Sequence, residues 1–222
     1  MSLTFDSLIP AATHHIFISG MNGCGKTILA EKLLETRRDN LILVYDPKDE
    51  LEWKGFKKYS SLYKLIVANP RHAIYAPNVK ELDDGDKHNE FFKFGFLRQR
   101  KNFKRKLKLS TTIYVDEVYS VTRNQELPLY YKADLTRGRK IRLETWSATQ
   151  RPKLIPQFLM SESKHQYIFY HQMFQDKQKL EQSFGIPMDL LDSISMDNHE
   201  FVYANLGRIS GKLKLKLKGS IR

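Results

Sequence analysis

Cysteine is nearly absent. Cys24 is the only one in 222 residues, which excludes an internal disulfide and a cysteine-based metal site. Long apolar runs are lacking as well: none approaches the roughly 20 residues that a membrane-spanning helix needs, so a soluble chain with no transmembrane segment is expected. The opening Met-Ser-Leu-Thr-Phe-Asp has neither the basic stretch nor the apolar core of a secretory signal, which predicts a protein that is not secreted and works in a reducing interior. No internal repeat is evident. Acid is scarce relative to base, with 25 Asp and Glu against 37 Lys and Arg, a net charge of +12 at pH 7. A surplus of that size exceeds what one bound nucleotide calls for. It points to a polyanionic partner, with nucleic acid the leading candidate and a generally basic soluble protein the alternative.

Against these deficits stands one dense motif. Gly20, Met21, Asn22, Gly23, Cys24, Gly25, Lys26 and Thr27 spell a complete G-x-x-x-x-G-K-[ST] phosphate-binding loop. It lies between an apolar strand at residues 14–19 and a helix that carries Ile28, Leu29, Leu33 and Leu34 at helical spacing, the context such a loop requires. Backbone N–H groups and a helix N-terminus would converge there on the phosphates of ATP, with glycines permitting the close approach. Lys26 would reach the β- and γ-phosphates, and Thr27 would ligate Mg²⁺. Cys24, inside the loop, reads as a small filler.

Strand and helix then alternate. Residues 40–46 form a near-continuous apolar run ending in Asp46-Pro47-Lys48, and short strands are expected at residues 73–76 and 111–115. Residues 78–89 read as a polar, acidic loop, residues 90–103 and 129–137 as helices, and residues 144–150 as another strand. This alternation predicts an α/β fold with a mainly parallel central sheet and helices on both faces. In the last third, residues 167–170 and 200–204 read as strands around a helix at 176–184, and residues 212–218 alternate Lys and Leu with period two. A hairpin between 207 and 211 would make this a C-terminal antiparallel β extension. The whole chain is expected to be one domain, with a core at about 14–175 and the extension at about 176–222.

Hydrolysis needs a metal-holding carboxylate and a group that activates water. Asp116 and Glu117, directly after the strand at 111–115, supply both: Asp116 near Mg²⁺, Glu117 pointing the other way to polarise water. A strand-ending acidic turn is the bland alternative. Gln150, at the end of the next strand, is placed to sense the γ-phosphate, or else bonds local backbone. Arg137 and Arg139 are candidates for a charge-stabilising arginine finger, with Arg137 preferred, although an exposed basic helix end has the same composition.

Taken together, Gly20 to Thr27, Asp46-Pro47-Lys48, Ile113-Tyr114-Val115-Asp116-Glu117, Thr136-Arg137-Gly138-Arg139 and Ala148-Thr149-Gln150-Arg151-Pro152 resemble the FtsK/HerA superfamily of P-loop DNA translocases. The compact length is similar to the genome-packaging ATPases of tailless viruses with an internal membrane. The resemblance implies a RecA-like P-loop NTPase core assembled into a ring, a hexamer or pentamer, that moves double-stranded DNA with ATP and Mg²⁺. It also implies an arginine finger acting on a neighbouring subunit, docking on a capsid vertex or on portal or membrane proteins, and residence in the host cytoplasm and at the packaging vertex of the virion. A cellular HerA/FtsK-like translocase, a P-loop kinase or switch unrelated to nucleic acid, and a filamentous-phage assembly ATPase are the other readings. The last would carry a membrane anchor.

One segment matches no motif of that family. Lys101, Lys104, Arg105 and Lys106 follow a stretch rich in phenylalanine and are candidates for phosphate contacts with DNA. A solvated helix face, core packing by the aromatics, or an amphipathic surface on anionic lipid fit the same residues. The lysines of the tail read first as guards on an edge strand, and second as DNA or lipid contacts.

Overall fold

The apolar runs become strands because both faces of each are covered, and β-branched and aromatic side chains fill a two-sided core well. The computed structural model describes residues 5–122 and 125–215. A short helix α1 (Phe5–Leu8) precedes β1 (Ile16–Ser19), α2 (Lys26–Glu35), β2 (Leu41–Tyr45), β3 (Lys57–Tyr59), α3 (Leu62–Ala68) and β4 (His72–Tyr75). Helices α4 (Val79–Leu82) and α5 (Gly85–Lys104) lead to β5 (Thr111–Val115), α6 (Leu129–Arg137) and β6 (Leu143–Thr149). The chain continues through α7 (Gln157–Glu162), β7 (His165–Phe169), α8 (Phe174–Phe184), α9 (Met188–Asp192), β8 (Glu200–Asn205) and β9 (Arg208–Lys214).

Among the described residues these strands form one sheet in the order β3-β4-β2-β5-β6-β1-β7-β8-β9. The first seven run parallel, while β8 and β9 add antiparallel. Helices cover both faces. On one, α2 buries Leu29, Ala30, Leu33 and Leu34 against Ile16, Ile18, Val44, Trp146 and Phe169. On the other, residues of α3, α5, α6, α7, α8 and α9 pack over Phe17, Leu43, Ile113, Val115 and Ile168. The expected α/β architecture with an antiparallel C-terminal extension is present. Its hairpin turns at Leu206 and Gly207, both at positive φ (49° and 77°), as a two-residue primed turn demands, so Gly211 lies inside β9.

Two local expectations need correction. The acidic segment 78–89 is mostly helical, because Asn78 accepts from Lys80 N and Glu81 N while Asp84 accepts from Asp86 N and Lys87 N, each side chain capping a new helix. Helix α5 therefore starts at Gly85, five residues before the expected 90. The edge strand β3 and helix α3 were not foreseen, since three residues with two exposed lysines carry little pattern. Leu213 and Leu215 are buried and Lys212 and Lys214 exposed, as period two requires; residues 216–218 of the tail lie outside the described residues.

One buried carboxylate works against this fold. Asp134 on α6 is 0% exposed and neither side-chain oxygen has a hydrogen-bond partner, so burial raises its pKa well above the ordinary carboxylate value. The folded chain then holds a proton at Asp134 that the unfolded chain releases above pH ~4, so stability falls as pH rises toward the folded pKa. Asp134→Asn removes this linkage. Thermal unfolding of the variant and the parent is expected to differ little at pH 4, with the variant increasingly more stable as pH rises from there toward the folded pKa, by at most about 1.4 kcal/mol per pH unit.

Candidate functional site

Four neighbouring parallel strands, β2, β5, β6 and β1, end on the same edge of the sheet, and each delivers one part of a site there. From β1 comes the glycine-rich loop. Gly20 N donates to Thr149 O (3.2 Å) and Met21 N to Tyr170 O (3.0 Å), which fastens the start of the loop to the strands on either side. A Cβ on Gly20 would lie 2.5 Å from Phe169 Cβ and 2.6 Å from Cys24 Sγ, so only glycine fits this crossing. Gly25, at φ 109°, is the residue before α2 and admits the turn that starts the helix. Cys24 is buried filler against Gly20, with its thiol pKa raised by that burial. The C-terminal extension backs the loop: Leu215 lies behind Gly25, and His199 Nδ1 is 3.3 Å from Cys24 O.

Lys26, largely buried, donates to Met21 O at 2.8 Å. Burial lowers its pKa, while Cys24, Asp116 and Glu117 oppose that shift. Thr27 Oγ1 lies 3.5 Å from Asp116 Oδ1, which also accepts from Tyr114 at 2.7 Å. Glu117 turns the other way: Oε1 accepts from Thr149 Oγ1 (2.8 Å) and Oε2 from Gln150 N (3.2 Å). Burial raises the pKa of both carboxylates, against hydrogen bonds that lower them. Gln150 is thus beside Glu117 through its backbone, with its side chain half-buried at the same edge.

Two residues of the Asp-Pro-Lys sequence belong here that sequence reasoning did not assign. Asp46 is fully buried after β2; Oδ2 accepts from Leu51 N at 2.8 Å, while Oδ1 has no partner. Its charge raises the pKa of Asp116, which sets the two carboxylates close to one another. Exposed Lys48 lowers the pKa of Asp116 and Glu117. Thr149 was likewise read only as part of a motif. Its position as the last residue of the strand before Gln150 was the available signal. His171, buried at 2% exposure and 2.8 Å from Ser19 Oγ, stands behind the loop, its pKa pushed down to about 3 by burial and by Lys26, Lys177 and Arg151.

The oxygens of Thr27, Asp116 and Asp46 suit Mg²⁺, a hard cation that takes few protein ligands and completes its shell with water and phosphate. The unpartnered Asp46 Oδ1 fits such a role.

Other expected site residues are elsewhere. Arg137 and Arg139 sit on the exposed helix end and turn that lead into the start of β6, whereas the site lies beyond the end of that seven-residue strand, roughly 20 Å away. They do not reach the phosphate loop of their own chain, because α6 runs antiparallel to the strands. Lys101, Lys104, Arg105 and Lys106 are exposed at the far end of α5, also on the edge away from the loop. The phenylalanines before them mostly pack inward: Phe91, Phe92 and Phe96 are buried and Phe94 packs on the core, while Phe103 is exposed.

The fold has solved counterparts. The genome packaging NTPase of Sulfolobus turreted icosahedral virus 2 in complex with AMP superposes with a TM-score of 0.74 at 15% identity, over 90% of this chain and 98% of that one. Its complex with AMPPCP gives 0.72 at 15% identity, over 90% and 97%. VirB4 of Thermoanaerobacter pseudethanolicus gives 0.65 at 10% identity, over 91% and 89%. These proteins belong to the FtsK/HerA-like P-loop ATPase group. This chain has their fold. No family model matches the sequence, and no curated protein does.

Thr149 supplies a hydrogen bond that lowers the pKa of Glu117. Thr149→Val is therefore expected to move the Glu117 carboxyl to a higher pKa, read from the pH titration of its side-chain carbonyl carbon by NMR. An unchanged titration would mean that the bond does not hold in solution.

Proposed function

We propose that this chain is an ATP-hydrolysing motor that moves double-stranded DNA, most specifically one that packages a viral genome. The observation that carries the reading is the division of labour between Asp116 and Glu117: one faces Thr27 of the loop, and the other is held by Thr149 and Gln150 toward the end of β6. A simple binding fold needs no carboxylate held in that second position. The fold shared with a viral packaging NTPase and the net charge of +12 support the DNA-moving part.

In this mechanism the N–H groups of residues 20–27 hold the ATP phosphates, and Lys26 turns from Met21 O to the β- and γ-phosphates. Mg²⁺ would be held by Thr27 and Asp116 with Asp46 behind them, and would neutralise phosphate charge. Glu117 orients a water and takes its proton, and its raised pKa makes it a better base than a solvated carboxylate. Gln150 hydrogen-bonds the γ-phosphate or the attacking water. Arg137, or Arg139 on the same turn, completes the site of a neighbouring subunit in a ring of five or six, since neither reaches its own. Exposed Lys101, Lys104, Arg105 and Lys106 offer contacts to DNA phosphates. Such a motor would work in the host cytoplasm and at the virion's packaging vertex, docked on capsid, portal or membrane proteins. Among the described residues no helix is long and apolar enough to cross a membrane.

A cellular translocase of the same group is the second reading, favoured by the likeness to VirB4. A kinase fits less well. A kinase usually has an arginine-rich lid, for which residues 98–108 are the candidate, but Arg98 is tied to Pro70 O at 2.6 Å and Asn69 O at 3.2 Å within α5.

Steady-state ATP hydrolysis with and without long double-stranded DNA, at low and moderate salt, tests the proposal. Salt-sensitive stimulation by DNA is expected; turnover indifferent to DNA, or phosphate transfer to a small acceptor, overturns it. Lys26→Ala is expected to abolish turnover, and Glu117→Gln to keep ATP binding while losing on the order of a hundredfold or more in kcat. Mixing Arg137→Ala subunits with Lys26→Ala subunits on DNA is expected to restore part of the activity. No recovery would remove the trans role of Arg137.

A further inference from the structure

At the edge of the sheet opposite the phosphate loop, the chain enters β1, β6 and β7, and a small cavity opens between these entries. Thr13, His14, His15, Arg139, Lys140 and Lys164 are among the residues that line it, with exposed Glu162 the one carboxylate at the rim. Its volume is about 190 Å³, room for a phosphate group with waters. The nearby buried carboxylate, Glu144, is already committed: it accepts from Arg37 Nε (2.9 Å), Thr112 Oγ1 (2.7 Å) and Thr13 N (3.0 Å). Among the described residues none of Arg139, Lys140 and Lys164 has an ion-pair partner, so all three cations face the cavity without a counter-charge of their own.

The histidines define donors. His15 Nδ1 accepts from Thr145 N at 3.0 Å, so the ring proton of this neutral, 5%-exposed side chain is on Nε2. That Nε2 is closed off from the cavity and turned to the Leu135 carbonyl, so His15 forms part of the wall without offering a donor. Lys164 Nζ lies 3.1 Å from His14 Nε2, which makes this nitrogen the acceptor. His14 Nδ1 then donates to His165 Nε2 at 2.9 Å, and His165 Nδ1 lies 2.7 Å from the Tyr203 hydroxyl. The relay fixes Lys164 as a positioned ammonium with two protons to spare. After burial, Lys164, Arg139 and Arg37 lower the pKa of His14, a sign that the cavity is at positive potential.

We propose that this cavity is a second phosphate-binding site, in which Arg139, Lys140 and Lys164 bind one phosphate group. The three cations come from the turn before β6 and the entry to β7, with His14 at the entry to β1 positioning Lys164, so the site exists only in the folded sheet. Arg139 is thereby an anion ligand of its own chain, and the role at a neighbouring subunit falls to Arg137. The proposal stands independently of nucleotide hydrolysis at the opposite edge. The phosphate can belong to a nucleic-acid backbone or be a free anion, and the two are separable by experiment.

The test uses the full chain labelled with ¹⁵N-histidine, the loop at the other edge being saturated with a non-hydrolysable ATP analogue and Mg²⁺. Inorganic phosphate and a 12-base-pair duplex are titrated separately while the ring nitrogens are followed. Saturable shifts of His14, which is bonded to Lys164, with His171 unmoved, are expected. Lys140→Glu, at an exposed position that leaves the fold intact, is expected to weaken the effect about tenfold or more. Shifts with the duplex at a far lower phosphate concentration assign the site to a nucleic-acid backbone. Shifts with phosphate alone assign it to a free anion. If neither ligand moves His14, or if Lys140→Glu and Lys164→Met both leave the titration unchanged, the proposal is overturned.

Discussion

Everything at the nucleotide edge depends on the register of β1 between β6 and β7. Two backbone hydrogen bonds, Gly20 N to Thr149 O and Met21 N to Tyr170 O, extend the parallel ladders by one residue on each side and then release the chain into the loop. A slip of one residue would turn Ile16 and Ile18 to the opposite core and carry Lys26 away from Asp116. Because both sheet faces are covered, such a slip is costly, and the loop inherits its position from the core. Gly20 tightens this further, since any side chain there would collide with Phe169 and Cys24.

The same register explains how two adjacent acids take different roles. Asp116 and Glu117 follow the last residue of β5, where successive side chains point apart. One finds the hydroxyls of Thr27 and Tyr114; the other finds Thr149 and Gln150 on the next strand. Burial raises the pKa of both, while hydrogen bonds and the lysines Lys26 and Lys48 restrain the rise. A carboxylate whose proton affinity is raised in this way is a stronger base toward water than a solvated one.

Charge is divided between the two edges of the sheet. The edge with the loop collects carboxylates, Asp46, Asp116 and Glu117, among the cations of Lys26 and Lys48. The other collects Lys101, Lys104, Arg105, Lys106, Arg139, Lys140 and Lys164, because helices antiparallel to the strands end there and basic residues complement helix C-termini. Under the proposed function, chemistry on ATP and contact with a polyanion thus fall on separate surfaces of one chain. Coupling them calls for an assembly in which one subunit's basic edge meets its neighbour or its DNA, and that is the arrangement the proposed ring provides.

Much of this was legible in the sequence, for local reasons. The phosphate loop, the strand ends at Asp46, Asp116 and Gln150, and the α/β alternation are written in contiguous residues whose spacing the backbone geometry dictates. The caps Asn78 and Asp84 were legible in principle but were masked by an acidic composition that also suits a loop. By itself the sequence determined where the phosphate-loop pattern lies and that a parallel sheet would carry it. Only the tertiary structure decided that Thr149 holds Glu117, that an unpartnered Asp46 backs Asp116, and that Arg139 joins His15 and Lys164, residues far apart in the chain, at one cavity. Those decisions rest on strand order, which is set by the burial of both sheet faces together and is not contained in any short stretch of residues.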